Sequence, residues 1–144
     1  MSARSGIVNA LVEKLKEVDG TGTYKSNLYG NVIPKLKFWD EVNDYPYVCV
    51  VAAGETREYL PAQFKWGFLS INVKVYVQDE NSLDALENVL ADIETVVDAN
   101  QELYFDDGTR HTEEVNITSI KTDEGLLDPL GIADVSLVVR YQVL

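Results

Sequence analysis

The residues Trp66 to Gln78, WGFLSINVKVYVQ, alternate almost without a break. Leu69, Ile71, Val73, Val75 and Val77 fall on one face, and Phe68, Ser70, Asn72, Lys74, Tyr76 and Gln78 on the other. A period of two marks a β-strand with one buried side, so the chain must build a sheet around it. Its length is the constraint. The stretch from Gly67 to Gln78 would span roughly 40 Å at ~3.3 Å per residue, whereas strands usually have about 5–6 residues. A chain of 144 residues needs no strand that long for its core. Just ahead of it, Arg57 to Trp66 form an arm of aromatics and charges.

The partner for the apolar face follows at once. Leu83, Leu86, Leu90, Ile93 and Val97 repeat at three, four, three and four residues, a helical stripe. Asn81 or Ser82 caps that helix and Asp84 lies in its first turn, where the helix dipole favours an acid. Asp98-Ala99-Asn100 closes it. Each aliphatic side chain buried between stripe and strand contributes about 1.5–3 kcal/mol, so this contact is expected to dominate stability.

The remaining elements follow from local signals. Ser5 to Val18 reads as a first helix, with Ile7, Leu11, Leu15 and Val18 on one side, Ser2 or Ser5 as cap and Gly20 as its stop. Gly20 to Pro34 is a loop or a short strand around Tyr24 to Tyr29. Tyr45-Pro46 leads into an apolar strand, Tyr47 to Ala53; a turn at Ala53-Gly54-Glu55 is expected, then a short strand Thr56 to Leu60 stopped by Pro61. Leu103 to Phe105, the turn Asp106-Asp107-Gly108-Thr109 and the segment Arg110 to Glu114 suggest a hairpin. Val115 to Thr122 and the strictly alternating Asp134 to Leu144 are further strands, joined by DEGLLDPLG, Asp123 to Gly131. The expected fold is α+β over one domain, residues 1–144: a mostly four-stranded antiparallel sheet with two helices packed on one face.

Composition narrows what such a fold can do. Apolar residues make up 46% and charged residues 25%, ordinary values for a folded protein. No apolar run approaches the ~18 residues that would span a bilayer. The N-terminus, MSARSGIVNALVEKLKEV, lacks the apolar stretch of a signal peptide, so no membrane partner and a cytoplasmic place of synthesis are expected. Twenty-four acids against twelve bases give −12. Proteins grip nucleic acid largely by setting Lys and Arg against phosphates, so the balance argues against a gripping role. It does not exclude a surface past which DNA slides without sticking.

Catalytic motifs are absent from the sequence: no GxGxxG, P-loop, CxxC, HExxH or G-x-S-x-G. Cys49, inside YVCVVAA, reads as a buried structural thiol. His111, in RHTEE, reads as an exposed loop residue. Asp106, Asp107, Glu113 and Glu114 could face one another across their hairpin and hold Ca²⁺ or Mg²⁺, but their spacing matches no EF-hand and acid clusters ordinarily face solvent. No cofactor, no metal and no enzymatic activity are expected.

Surplus aromatic surface stands out instead. Arg57, Tyr59, Leu60, Phe64, Lys65, Trp66 and Phe68 crowd the arm, and Tyr76 lies with Phe68 on the strand face away from the helix. Two readings stand open. Another part of the chain covers these residues, such as the segment 20–38 with Leu28, Ile33, Leu36 and Phe38. Alternatively they form a subunit interface, where Tyr, Trp, Phe and Arg are enriched, beside an edge of the long strand left for another chain.

The arm TREYLPAQFKW, the stretch FKWGFLSINVKVYVQDENSLDALENVLADIETVVDAN and the C-terminal TDEGLLDPLGIADVSLVVRYQV resemble the tail terminator proteins of tailed bacteriophages, the minor tail protein U and tail-completion group. The likeness covers Tyr45 to Asn100 and Val115 to Leu144 and rests on element order, not on a catalytic signature. It implies a structural virion protein of small α+β fold. Six copies would form a ring that caps the tail tube, ends its polymerisation and joins a head connector or stopper protein, with DNA passing through the lumen unbound. The Arg57–Trp66 arm is the region carried over, and Gly20 to Pro34 matches nothing in the group. Rival readings are a head-completion or stopper protein of the same virion, a small-ligand-binding α+β module, and a metal-dependent hydrolase using Asp106 and Glu114.

Overall fold

In a computed structural model, which describes residues 2–144, the long alternating segment is strand β3, Phe64–Gln78. It is the middle of a five-stranded sheet of order β1-β2-β3-β7-β6. The flanking strands are β1 (Val32–Ile33), β2 (Tyr47–Leu60), β6 (Glu114–Thr122) and β7 (Leu130–Val143). Strands β4 (Tyr104–Phe105) and β5 (Arg110–His111) form a separate small hairpin. The expected α+β class holds, with two corrections. The sheet has five strands, not four, and it is mixed because β1 runs parallel to β2. The added strand comes from the polar segment after Gly20, where two residues are too few to show a period.

Both helices, α1 (Ala3–Leu15) and α2 (Ser82–Ala99), pack on one face. Ser2 caps α1 by accepting from the Ser5 amide at 3.1 Å, and Asn81 caps α2 through the Asp84 amide. Ile7, Leu11 and Leu15 from α1 and Leu86, Leu90, Ile93 and Val97 from α2 meet Leu69, Ile71, Val73, Val75 and Val77 in one buried cluster. The alternating C-terminal strand adds Val135, Leu137, Val139 and Tyr141. Leu83 is the exception to the predicted stripe: it lies on the outward side at the helix start and is exposed.

The turn expected at Ala53-Gly54-Glu55 is not a turn. β2 continues through it, with a bulge in its pairing to β3 between Ala52 and Glu55. A bulge adds a residue and bends a strand without ending it, which a sequence can present as a break. β2 and β3 are thus two sides of one long hairpin, closed at Pro61–Gln63. β3 also pairs with β7 from Lys65 against Val143 to Gln78 against Leu130. Gly67 allows that close approach, since a Cβ there would stand 2.7 Å from a Tyr141 ring carbon.

A second, smaller cluster lies on the other face of the sheet, built from Val42, Tyr47, Cys49 and Tyr76 with Ile33, Tyr45 and Ile132 against it. The chain reaches it by wrapping around the β2 edge. On the helix side Asp92 of α2 holds the loop, accepting from the amides of Lys25 at 2.8 Å and Ser26 at 2.7 Å. Leu28 is buried in the main core, β1 pairs at the edge, and residues 33–47 then cross the outer face.

Candidate subunit interface

The hairpin tip extends past the helices. The two faces of this arm differ. Glu55, Arg57 and Tyr59 of β2 share the helix-side face with Lys65, because Arg57 pairs with Gly67 and Tyr59 with Lys65. Glu55 meets Arg4 of α1 at the root, whereas farther out Tyr59 is 69% exposed, with the Lys65 ammonium 5.6 Å from its ring centroid. Leu60, Phe64, Trp66 and Phe68 occupy the outer face. Phe64 and Trp66 meet edge to face at 4.9 Å, and the Arg140 guanidinium of β7 stacks 4.8 Å from the Trp66 ring centroid. Such stacking keeps the aromatics ordered while Phe64, Trp66 and Phe68 stay partly open to solvent.

The structure separates the eight candidate residues. Arg57, Tyr59 and Leu60 are exposed and Phe64, Lys65, Trp66 and Phe68 half-buried, all together on the arm. Tyr76 does not join them. It is 3% exposed, lies in the outer-face cluster and donates from its hydroxyl to the Lys37 carbonyl at 2.6 Å. Of the two readings for that face, cover by the chain itself holds at Tyr76, but of the four residues expected to provide it only Ile33 does, with Val42 and Tyr45. Leu36 and Phe38 are exposed and Leu28 lies in the main core. Burial pushes the Tyr76 hydroxyl pKa up to about 12, with the nearby Cys49 thiol and Asp134 adding to the effect.

The open edge is also elsewhere than expected. The long strand is central and paired along both sides. The unpaired length belongs to β2, since β1 covers only Val48 and Cys49, and no described strand pairs with the outer side of β2 from Val50 to Leu60. At the opposite margin β6 presents the second free edge.

At the root of the arm is a cluster that motif reading missed. Glu55 is almost wholly buried, receives the Tyr141 hydroxyl at 2.6 Å and pairs with the Arg57 guanidinium at 2.8 Å. Arg4 lies 4.0 Å away and donates to the Ala53 carbonyl within the bulge. The Arg57 pKa rises through its bond to Glu55. That of Tyr141 is pushed up to about 12, by burial first and by Glu55 second. The cluster fixes the arm's angle to α1. Its only trace in sequence was an acid and a base two residues apart, the normal pattern of a solvated strand.

The other candidates do not converge. Asp106 and Asp107 stand in the β4–β5 turn, whereas Glu114 sits on β6 with its carboxylate 3.8 Å from Arg140. Among the described residues no three of His, Cys, Asp or Glu come together to hold a metal ion. His111 is exposed, and a bond from its ring to the Thr112 carbonyl raises its pKa. A cleft of about 800 Å³ between the helix ends is open to solvent and lined by Glu13, Lys14, Asp98 and Glu102 together with Ala10, Leu103 and Tyr104. Cys49 is buried. No helix among the described residues is long and apolar enough to cross a membrane.

Comparison with known proteins meets this geometry over its whole length. A family model described as bacteriophage tail tube terminator protein matches residues 1–144. A tail tube terminator protein of Escherichia phage T5 is 37% identical over 153 aligned positions, covering 99% of this chain and 95% of that protein. Among solved structures, a chain from the virion of a native gene transfer agent particle superposes with a TM-score of 0.64 at 12% identity. That match covers 99% of this chain and all of the other, and it speaks to the fold alone.

Proposed function

The chain belongs to the bacteriophage tail tube terminator family, and on that premise we propose that it forms a ring which caps the finished tail tube. The ring stops further addition of tube subunits and presents its far face to a head connector or stopper protein. The observation that carries this reading is the open length of β2 beside an ordered aromatic arm. An edge at one margin of a sheet and a second at the other make a head-to-tail contact, which closes into a ring when its rotation divides a full turn. Six copies are the number the family resemblance implies. The work is done by contact and shape, with no catalytic group and no cofactor.

DNA leaving the head would pass through the lumen. A charge of −12 per copy repels phosphate and supports passage without adhesion. The protein would reside in the virion at the joint of tail and head, after assembly in the host cytoplasm.

Mass measurement of the purified protein, alone and with tail tubes, is expected to give a hexamer. Added during tube growth, it should arrest elongation, and electron microscopy should show density at one tube end. A strict monomer under both conditions, with tubes growing unchecked, overturns the ring.

A further inference from the structure

The loop between β6 and β7 presents an apolar surface that nothing in the chain covers. Leu126 is 86% exposed, with Leu127 and the exposed Leu83 of α2 beside it. The loop is held in place. Ser82 donates to the Asp128 carboxylate, the Asp79 amide donates to the Pro129 carbonyl at 2.9 Å, and Gly125 lies against Leu83 so closely that a Cβ would come within 3.3 Å of it. The leucines are therefore displayed on a fixed support. Around them stand Asp84, Glu87 and Glu124, all exposed. Between Lys74 and Arg110 the chain has no basic residue; Lys121 at the end of β6 stands against these three acids, which leaves the α2 side of the rim negative.

The helix-side face of the arm is the complement. Tyr59 projects there between Arg57 and Lys65, and Lys65 makes no ion pair among the described residues. No acid of the same arm face is exposed, since Glu55 is buried against Arg57. With Arg57 neutralised by Glu55, the aromatic ring and the unpaired Lys65 ammonium beside it match apolar side chains bordered by carboxylates in polarity and charge.

We infer that Leu83, Leu126 and Leu127 form the dock for the Tyr59 face of the arm of a second copy, a contact that rests on the ring reading and names its two surfaces. Within one molecule they cannot meet. The arm is at the start of β3 and the loop beside its end, separated by the paired length of β3 and β7, roughly 45 Å at ~3.3 Å per residue. The two halves of the contact sit at opposite ends of an elongated body, the arrangement a heterologous contact requires. The charges favour one pairing: the acids around the dock attract Lys65 of an arm and repel the acids of a second dock.

A charge exchange tests it. Lys65→Glu and Glu124→Lys, each alone, are expected to raise the subunit concentration needed for assembly by tenfold or more. Combined in one chain, they should recover most of that loss. Leu126→Ser should weaken assembly as well. Glu124 and Leu126 are exposed and Lys65 loses only its contact with Tyr59, so thermal melts should stay close to those of the unaltered chain. If the unaltered protein assembles and the single variants assemble equally well, this dock is wrong while the ring stands. Loss in both single variants without recovery in the double also overturns it. Variants that assemble normally but no longer cap tubes would assign the leucines to the tube protein and overturn it too. An unaltered chain that stays monomeric with tubes present removes the ring reading itself.

Discussion

Single side chains decide more here than their number suggests. Asp92 sits on an otherwise apolar helix side and is 1% exposed, yet it carries the loop 20–34 through the Lys25 and Ser26 amides and the Ser26 hydroxyl. Burying those donors without an acceptor costs about 1–3 kcal/mol each. Asp92→Ala should therefore lower unfolding stability by roughly 2–4 kcal/mol, read as a lower urea midpoint with little change in slope. The two buried tyrosines make a different prediction. Tyr76 and Tyr141 are both pushed up to about 12 from an ordinary value near 10, by burial above all. A folded-state pKa raised above the unfolded one contributes stability that is complete below the unfolded value and is lost as pH rises through the folded one. Stability should thus hold to about pH 10 and fall as pH approaches about 12. Tyrosinate absorbance from these two residues should appear together with unfolding. Titration of Tyr76 and Tyr141 near pH 10 would contradict the burial.

At the scale of elements, the arm is the part whose purpose can be separated from stability. The Phe64–Trp66 contact and the Arg140 stack are worth about 0.5–1.5 kcal/mol and ~0.5–1 kcal/mol respectively. Replacing Phe64 and Trp66 together by Ala should leave the protein folded, with a stability loss of about 1–2 kcal/mol, while ring assembly is lost. If the double variant is unfolded by circular dichroism, these aromatics belong to the core. What could be read from sequence divides along the same line. The alternation of Leu69 to Val77 and of Val135 to Val143 and the stripe Leu86 to Val97 each repeat several times, so strand, helix and their shared face were legible. β1 was not, because two residues in a Gly- and Asn-rich segment have no period. The β2 bulge was mistaken for a turn, since Ala53-Gly54-Glu55 has turn composition and only pairing to β3 shows that the strand goes on. Tyr76 was set with the arm because strand parity gives a residue's face, whereas the cover over that face comes from residues distant in sequence. The arm itself was legible, being a cluster of aromatics too large for the neighbouring core.

For the whole molecule, family membership over residues 1–144 and the geometry of the sheet point the same way. The main core lies on the helix side, the small Tyr47–Tyr76 cluster on the other, and the arm and the Leu126 loop stand at the two ends. The ring we propose uses those ends and leaves both clusters intact, so assembly need not reorganise the protomer. The wrapped segment has a further effect. Because β1 and the residues after it sit across one end of the β2 margin, an incoming chain finds bare backbone over the arm half alone. It meets an obstruction at Cys49 and a kink at the bulge before that. Two such molecules cannot zip margin to margin along their full length, nor slide past each other in search of another alignment. A lone protomer is thereby protected from fibrillar stacking.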